Sequence, residues 1–392
     1  MKNMMARVLS LALTGAFFLM GSAAAESVFT QEMVLRGLVG VGNTERLHRA
    51  IDKAKAGGEV SIVCLGGSIT EGALAKPQQT ACYAGLAAQH FADRFMPDPA
   101  KLQCHNAGIS GTPSLLGITR CARDVLAHAP DIVFVEFAVN DGTDADSRMA
   151  YESLVRKLLL SGTQPAVVLI FTVMENGYTA QTHMQQIGRH YGLGMLSVGD
   201  AIMPAIKAGE MTWRDYSEDY THPNTQGHAF IAQMIDHYYE QAAATPAQAR
   251  AVPDFPVYAK DLQNLVNLQP GDERITAVGS FPYGMVTCYS YRAGWRHTGA
   301  MLGSAPLTLR IPGKVMTLAF KQEKRDTCGT AEVYVDGTLR ASLPGQADNA
   351  WGNVITQLIR LGGAGEHTVE IRMAPGDEGK DFNLLDVGYV NE

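Results

Sequence analysis

The chain has 392 residues, 46% of them hydrophobic and 18% charged. At about 150 residues per domain that allows two or three domains, and the composition excludes wholesale disorder. Lys and Arg number 32 against 39 Asp and Glu, a net charge of -7; with no long basic run, the balance argues against a nucleic-acid partner.

The chain opens with an address. Lys2 and Arg7 are basic, residues 8–20 are mostly apolar, and Ala23, Ala24 and Ala25 are small. This pattern reads as a secretory signal peptide over 1–25, cut before Glu26, which predicts export to the periplasm or beyond the cell. The apolar run is shorter than the roughly 20 residues of a spanning helix. No later segment is long and apolar enough to cross a membrane, so no span is expected after signal removal.

Asn43-Thr44 predicts a helix start, running through Lys55 and stopped by Gly57-Gly58. Strands are predicted at 60–65, 102–106, 132–137, 166–172 and 195–198. Helices are predicted at 83–94, 115–128, 147–160, up to Tyr191, after a cap at Asp200, and at 226–240. Such alternation implies right-handed βαβ units and a parallel sheet. The apolar strands predict cover on both faces. Ligands of such sheets bind beyond the carboxyl ends of the strands.

Residues 241–256 are rich in Ala and Pro and read as a linker, so cleavage there is expected to leave a foldable first domain over 26–240. Beyond it the texture changes to short strands at 307–311, 315–320, 331–335 and 367–371, with Asp336-Gly337 as a hairpin turn. Residues 257–392 are therefore read as an all-β sandwich or jelly roll. Within it the charged stretch 321–328 is a candidate to reach toward a site on the first domain.

Of the six cysteines, Cys64 and Cys104 read as small core residues, and Cys82 with Cys121 or Cys288 with Cys328 are alternatives for pairing. Neither Cys-x-x-Cys nor His-Glu-x-x-His occurs, so no metal is expected.

Four clusters carry groups suited to chemistry. Gly66-Gly67-Ser68 follows the first strand and would expose a hydroxyl and an amide at its end. Gly108, after the second, offers a bare backbone N–H. Asn140, after the third, offers a side-chain amide to the same developing charge, while Asp141 is suited to fixing the turn. Asp219 lies three residues before His222, close enough to hold one ring nitrogen and leave the other as a base. Each cluster alone is more often a plain turn. Three at successive strand ends and a fourth before the last helix form a set.

The set resembles the SGNH/GDSL hydrolase superfamily, whose four blocks centre on Ser, Gly, Asn and His. Ser68, Gly108, Asn140 and His222 match in order, and Asp219 completes the triad. Gly67 stands where the family usually has Asp, and Ala138 where it usually has Gly. The resemblance implies a flavodoxin-like α/β/α sandwich with a five-stranded parallel sheet. It also implies ester hydrolysis through an acyl-enzyme with no cofactor, the oxyanion held by Ser68, Gly108 and Asn140.

Trp213, Tyr216 and Tyr220 lie on the loop carrying the base and are candidate faces for sugar rings. With export and the β-module, they point to an acylated, chiefly acetylated, glycan as substrate. Alternatives are a short-chain lipase or thioesterase-like esterase, a glycan O-acyltransferase, and a non-catalytic glycan-binding protein.

Overall fold

The structure is a computed structural model and describes residues 27–301 and 303–390. The expected signal peptide lies outside the described residues. The first half alternates α1 (Gln31–Gly37), β1 (Leu38–Gly40), α2 (Glu45–Lys55), β2 (Val60–Gly66), α3 (Ser68–Glu71), α4 (Gln78–Ala81) and α5 (Tyr83–Phe95). Next come β3 (Leu102–Gly108), α6 (Ser114–Thr119), α7 (Cys121–Asp124), β4 (Ile132–Glu136), α8 (Ala145–Leu159) and β5 (Ala166–Phe171). The half closes with α9 (Gln181–Tyr191), β6 (Gly194–Ser197), α10 (Val198–Ala208), α11 (Trp213–Tyr216) and α12 (Thr225–Ala244).

The sheet order is β1-β6-β5-β4-β2-β3. The five strands β2 to β6 run parallel. A sixth, β1, pairs antiparallel with β6 and adds a short edge strand to the five expected parallel ones. Strands β2, β4 and β5 are buried at every position. Their side chains alternate between two apolar layers. Ile62, Cys64, Phe134 and Val168 join one with α5 and α12, while Val63, Leu65, Val135 and Leu169 join the other with α8 and α9. Each large side chain so buried contributes about 1.5–3 kcal/mol.

Several local expectations are corrected. The helix predicted over 115–128 is interrupted at Arg120. The Thr119 carbonyl there accepts from Asn267 Nδ2 at 2.7 Å, which draws it away from the helical ladder. The cap of α10 is Ser197, whose hydroxyl accepts from the Asp200 amide at 2.9 Å; Asp200 lies inside the helix. Cys104 is exposed because β3 is a sheet edge, and all six cysteines are unpaired thiols.

The second half holds β7 (Leu265–Asn267), β8 (Ile275–Ala277), β9 (Tyr283–Cys288), β10 (Tyr291–His297), β11 (Leu307–Pro312) and β12 (Val315–Gln322). It continues with β13 (Thr330–Val335), β14 (Thr338–Pro344), β15 (Asn353–Arg360), β16 (Glu366–Met373) and β17 (Phe382–Val390). They form two antiparallel sheets, β15-β12-β17-β10-β9 with β7 on β17, and β14-β13-β16-β11-β8. Leu309, Phe320, Val333, Ile371 and Leu384 pack between the sheets. The turn Asp336-Gly337 joins β13 to β14 with φ of 49° and 76°, the positive values a tight hairpin requires.

The two halves meet over a fourth apolar cluster. Ile109 and Leu116 from the first pack with Val286, Tyr291, Ala319 and Leu385 from the second. Strand β12 is thus covered on both faces, and its first six positions are all buried. The stretch after α12 runs along the first domain. There the Glu152 carboxylate accepts from the amides of Val257, Tyr258 and Ala259 at 2.6, 2.7 and 3.1 Å.

Candidate active site

Ser68 opens α3 at the carboxyl end of β2. The turn before it is crowded. A Cβ on Gly66 would stand 2.1 Å from Thr70 Oγ1, and one on Gly67 would stand 2.3 Å from Asn140 Oδ1. Both glycines are required by close approach, since neither has a positive φ. Ser68 is only 7% exposed.

His222 lies between α11 and α12. Its Nε2 is 2.8 Å from Ser68 Oγ, and its Nδ1 is 2.7 Å from Asp219 Oδ2. The other Asp219 oxygen accepts from the Thr221 and His222 amides, both at 2.7 Å. Partial burial pushes the Asp219 carboxyl up, but the bonds from the His222 ring and these amides outweigh it and hold it below the ordinary value. A hydroxyl, an imidazole and a carboxylate thus stand in one line, the arrangement in which a base takes a hydroxyl proton and an acid fixes its tautomer.

Asn140 follows β4. Its Oδ1 is buried with no partner among the described residues, and it faces Gly67. The turn beneath it is held by Asp141, whose Oδ1 accepts from the Ser114 amide at 2.7 Å and whose carboxyl is pushed up to about 7 by burial. Gly108 is placed differently from expectation. Its N–H donates to Asn106 Oδ1 at 2.9 Å, so this amide is already engaged. A Cβ there would stand 2.1 Å from the Glu71 nitrogen, so packing against α3 itself demands glycine.

The aromatic candidates separate. Trp213 and Tyr216 are 6% and 0% exposed and pack edge to face at 5.2 Å, and the Trp213 indole donates to Asp219 O at 2.6 Å. Neither offers an open ring to a sugar; they brace the loop carrying the acid and base, which corrects the expectation for both. Tyr220 is 65% exposed.

Sequence reasoning missed three contributors. Glu136, at the end of β4, is fully buried and accepts from Thr172 Oγ1 at 2.7 Å and Thr70 Oγ1 at 3.2 Å. Burial pushes its carboxyl up, against the hydrogen bonds from Thr172, Thr70 and the Gly67 amide. An acid inside an apolar strand was the available signal. The other two, Tyr289 and Trp351, come from the β-domain. Trp351 is 61% exposed, donates through Nε1 to Tyr289 Oη at 3.0 Å, and lies 3.2 Å from where a Gly111 Cβ would stand. Tyr289 lies beside Ser110 and Glu71, which hydrogen-bond each other. A cleft of about 380 Å³ runs along the β3 edge from Cys104 to Ile109 and is bordered by Tyr289 and Ser290. The charged stretch 321–328 instead stays within the β-domain, where Lys321 and Arg325 pair with Glu323. Among the described residues no three His, Cys, Asp or Glu side chains converge as metal ligands.

Comparison with known proteins extends this geometry. Residues 64–230 match the model of the GDSL-like lipase/acylhydrolase family. A solved two-domain esterase active on acetylated mannans is 30% identical, with a TM-score of 0.79 over 92% of this chain and 98% of that one. The chain belongs to the GDSL-like lipase/acylhydrolase family. A structure of a two-domain esterase of the same description, co-crystallised with mannopentaose, is 28% identical over the same shares, again with a TM-score of 0.79. Among curated proteins the comparison finds no match. The family resemblance was legible in the four blocks, and the likeness to these esterases extends across both domains.

Proposed function

We propose that this GDSL-family acylhydrolase is an exported esterase that removes acetyl groups from a glycan. Ser68 is the nucleophile, His222 the base and Asp219 its orienting acid. His222 takes the Ser68 proton as Oγ attacks the ester carbonyl. The oxyanion is met by the Ser68 amide and the Asn140 side chain, with Gly108 available once its amide leaves Asn106. His222 then protonates the departing sugar hydroxyl. Water, activated by the same ring, releases acetate from the acyl-enzyme.

The observation that carries this reading is the unbroken line from Ser68 through His222 to Asp219, at 2.8 and 2.7 Å, beyond the strand ends. Support for the substrate comes from the solved esterases active on acetylated mannans and from the exposed Trp351 and the half-buried Tyr289 beside the Ser110 loop. Aromatic faces suit the apolar face of a pyranose. Residues 1–25 carry the export assignment.

The test is acetate release from a panel of acetylated mannan, acetylated xylan, and short- and long-chain nitrophenyl esters. Release from an acetylated glycan with no added acceptor supports a glycan esterase. Turnover confined to long-chain esters contradicts it.

A further inference from the structure

Arg120 stands between α6 and α7 with a fully buried side chain. Its guanidinium donates to the Gly66 carbonyl at 3.1 Å and to Asp124 Oδ2 at 3.1 Å. Gly66 ends β2, two residues before Ser68, and its carbonyl also accepts from the Ile109 amide at 3.1 Å. A buried guanidinium is costly unless paired. Its planar fork, bridging a carboxylate and a carbonyl, fixes the direction of both.

Asp124 is in turn held from the second domain. Ser290 Oγ donates to it at 3.0 Å, and Arg123 Nε at 2.7 Å. Arg123 lies 3.9 Å above the Tyr291 ring and reaches Asp386 Oδ2 at 3.4 Å. Asp386 Oδ1 accepts from Asn267 Nδ2 at 2.8 Å. Ser290, Tyr291, Asp386 and Asn267 all belong to the β-domain segment, so one polar chain runs from that domain to the back of the nucleophile turn.

We propose that Arg120 is a positioning residue, clamping the Gly66 carbonyl so that Ser68 faces His222, and that the β-domain sets this clamp through Ser290 and Asp386. The proposal rests on Ser68 being the nucleophile. The β-domain then acts on the chemistry from behind the turn, separately from any glycan contact at Trp351.

Steady-state kinetics on nitrophenyl acetate, a substrate too small to need a glycan platform, test the clamp. The variants are Arg120→Lys, Asp386→Asn and Ser290→Ala, with Ser68→Ala as control. The assay is run at about pH 8, where Asp386, pushed up to about 6 by burial, is ionised. Lysine keeps the charge but lacks the fork. The expected kcat falls about tenfold in Arg120→Lys and about threefold in Asp386→Asn and Ser290→Ala, with KM within about twofold, because alignment is lost in the transition state. Fluorophosphonate labelling of the folded variants should slow in parallel. Wild-type kcat per folded molecule in Arg120→Lys overturns the proposal, even if its Tm falls. If that variant does not fold, wild-type kcat in both Asp386→Asn and Ser290→Ala overturns it. An active Ser68→Ala enzyme defeats the nucleophile assignment. An inactive one beside three unimpaired variants defeats the clamp alone.

Discussion

At the residue scale the chemistry hangs on few atoms. Asn140→Ala is expected to lower kcat by about 10²–10³ with little change in KM, since an oxyanion donor acts in the transition state. Steady-state kinetics on nitrophenyl acetate check this, and a change confined to KM would make Asn140 a ground-state binder. Gly67→Ala should also lower kcat in the same assay, because the added methyl meets Asn140 Oδ1 at 2.3 Å and displaces that side chain. Asp141 contributes a pH signature. Its folded value of about 7 lies above the unfolded one near 4, so across that window the folded state binds more protons. Stability should therefore fall as pH rises from about 4 to 7, by an amount that Asp141→Asn removes. Denaturant melts of both proteins over that range measure it. The groups with a chemical identity, Ser68, Asn140, Asp219 and His222, were legible in the sequence. Trp213 and Tyr216 were misread because residue type announces an aromatic ring but not which way it faces. Arg120 left no trace, because its role depends on a carbonyl far away in sequence.

At the scale of elements, the stretch after α12 separates what composition suggests from what packing does. Residues 241–256 read as a free linker from their Ala and Pro content, yet the Pro253 carbonyl accepts from Arg156 Nη1 at 2.6 Å, and just past the stretch the amides of Val257, Tyr258 and Ala259 end on Glu152, which also accepts from Tyr191 Oη at 2.7 Å. Leu262 and Leu265, just beyond, are buried in the first domain's own core. A chain ending near Arg250 would strip both and leave a carboxylate without its amide donors. Such a truncation is expected to lose cooperative unfolding, contrary to the foldable domain that composition suggests. Glu152→Gln in the full chain should cost about 2–4 kcal/mol, since its amide NH₂ would face backbone donors. Thermal and denaturant unfolding check both. The strands β2, β4 and β5 were plain in the sequence because a continuous apolar run suits a sheet covered on both sides. Strands β9 and β10 were not, since their burial alternates irregularly where one face meets the other domain.

At the scale of the whole molecule, the β-domain places Trp351 and Tyr289 beside the Ser110 loop, and the domain change was visible in the sequence only as a change of texture. Trp351→Ala is expected to raise KM for acetylated manno-oligosaccharides about tenfold or more while leaving nitrophenyl acetate turnover near wild type, as loss of a stacked aromatic at a binding rim does. Equal effects on both substrates would remove Trp351 from glycan binding. Attack of Ser68 on the ester carbonyl of an acetylated glycan is measured by acetate release from acetylated mannan by wild-type and folded Ser68→Ala enzyme. Steady release is expected from the wild type, with a fall of several orders of magnitude, about 10⁴ or more, in the variant. Release by Ser68→Ala at a rate near wild type would contradict it.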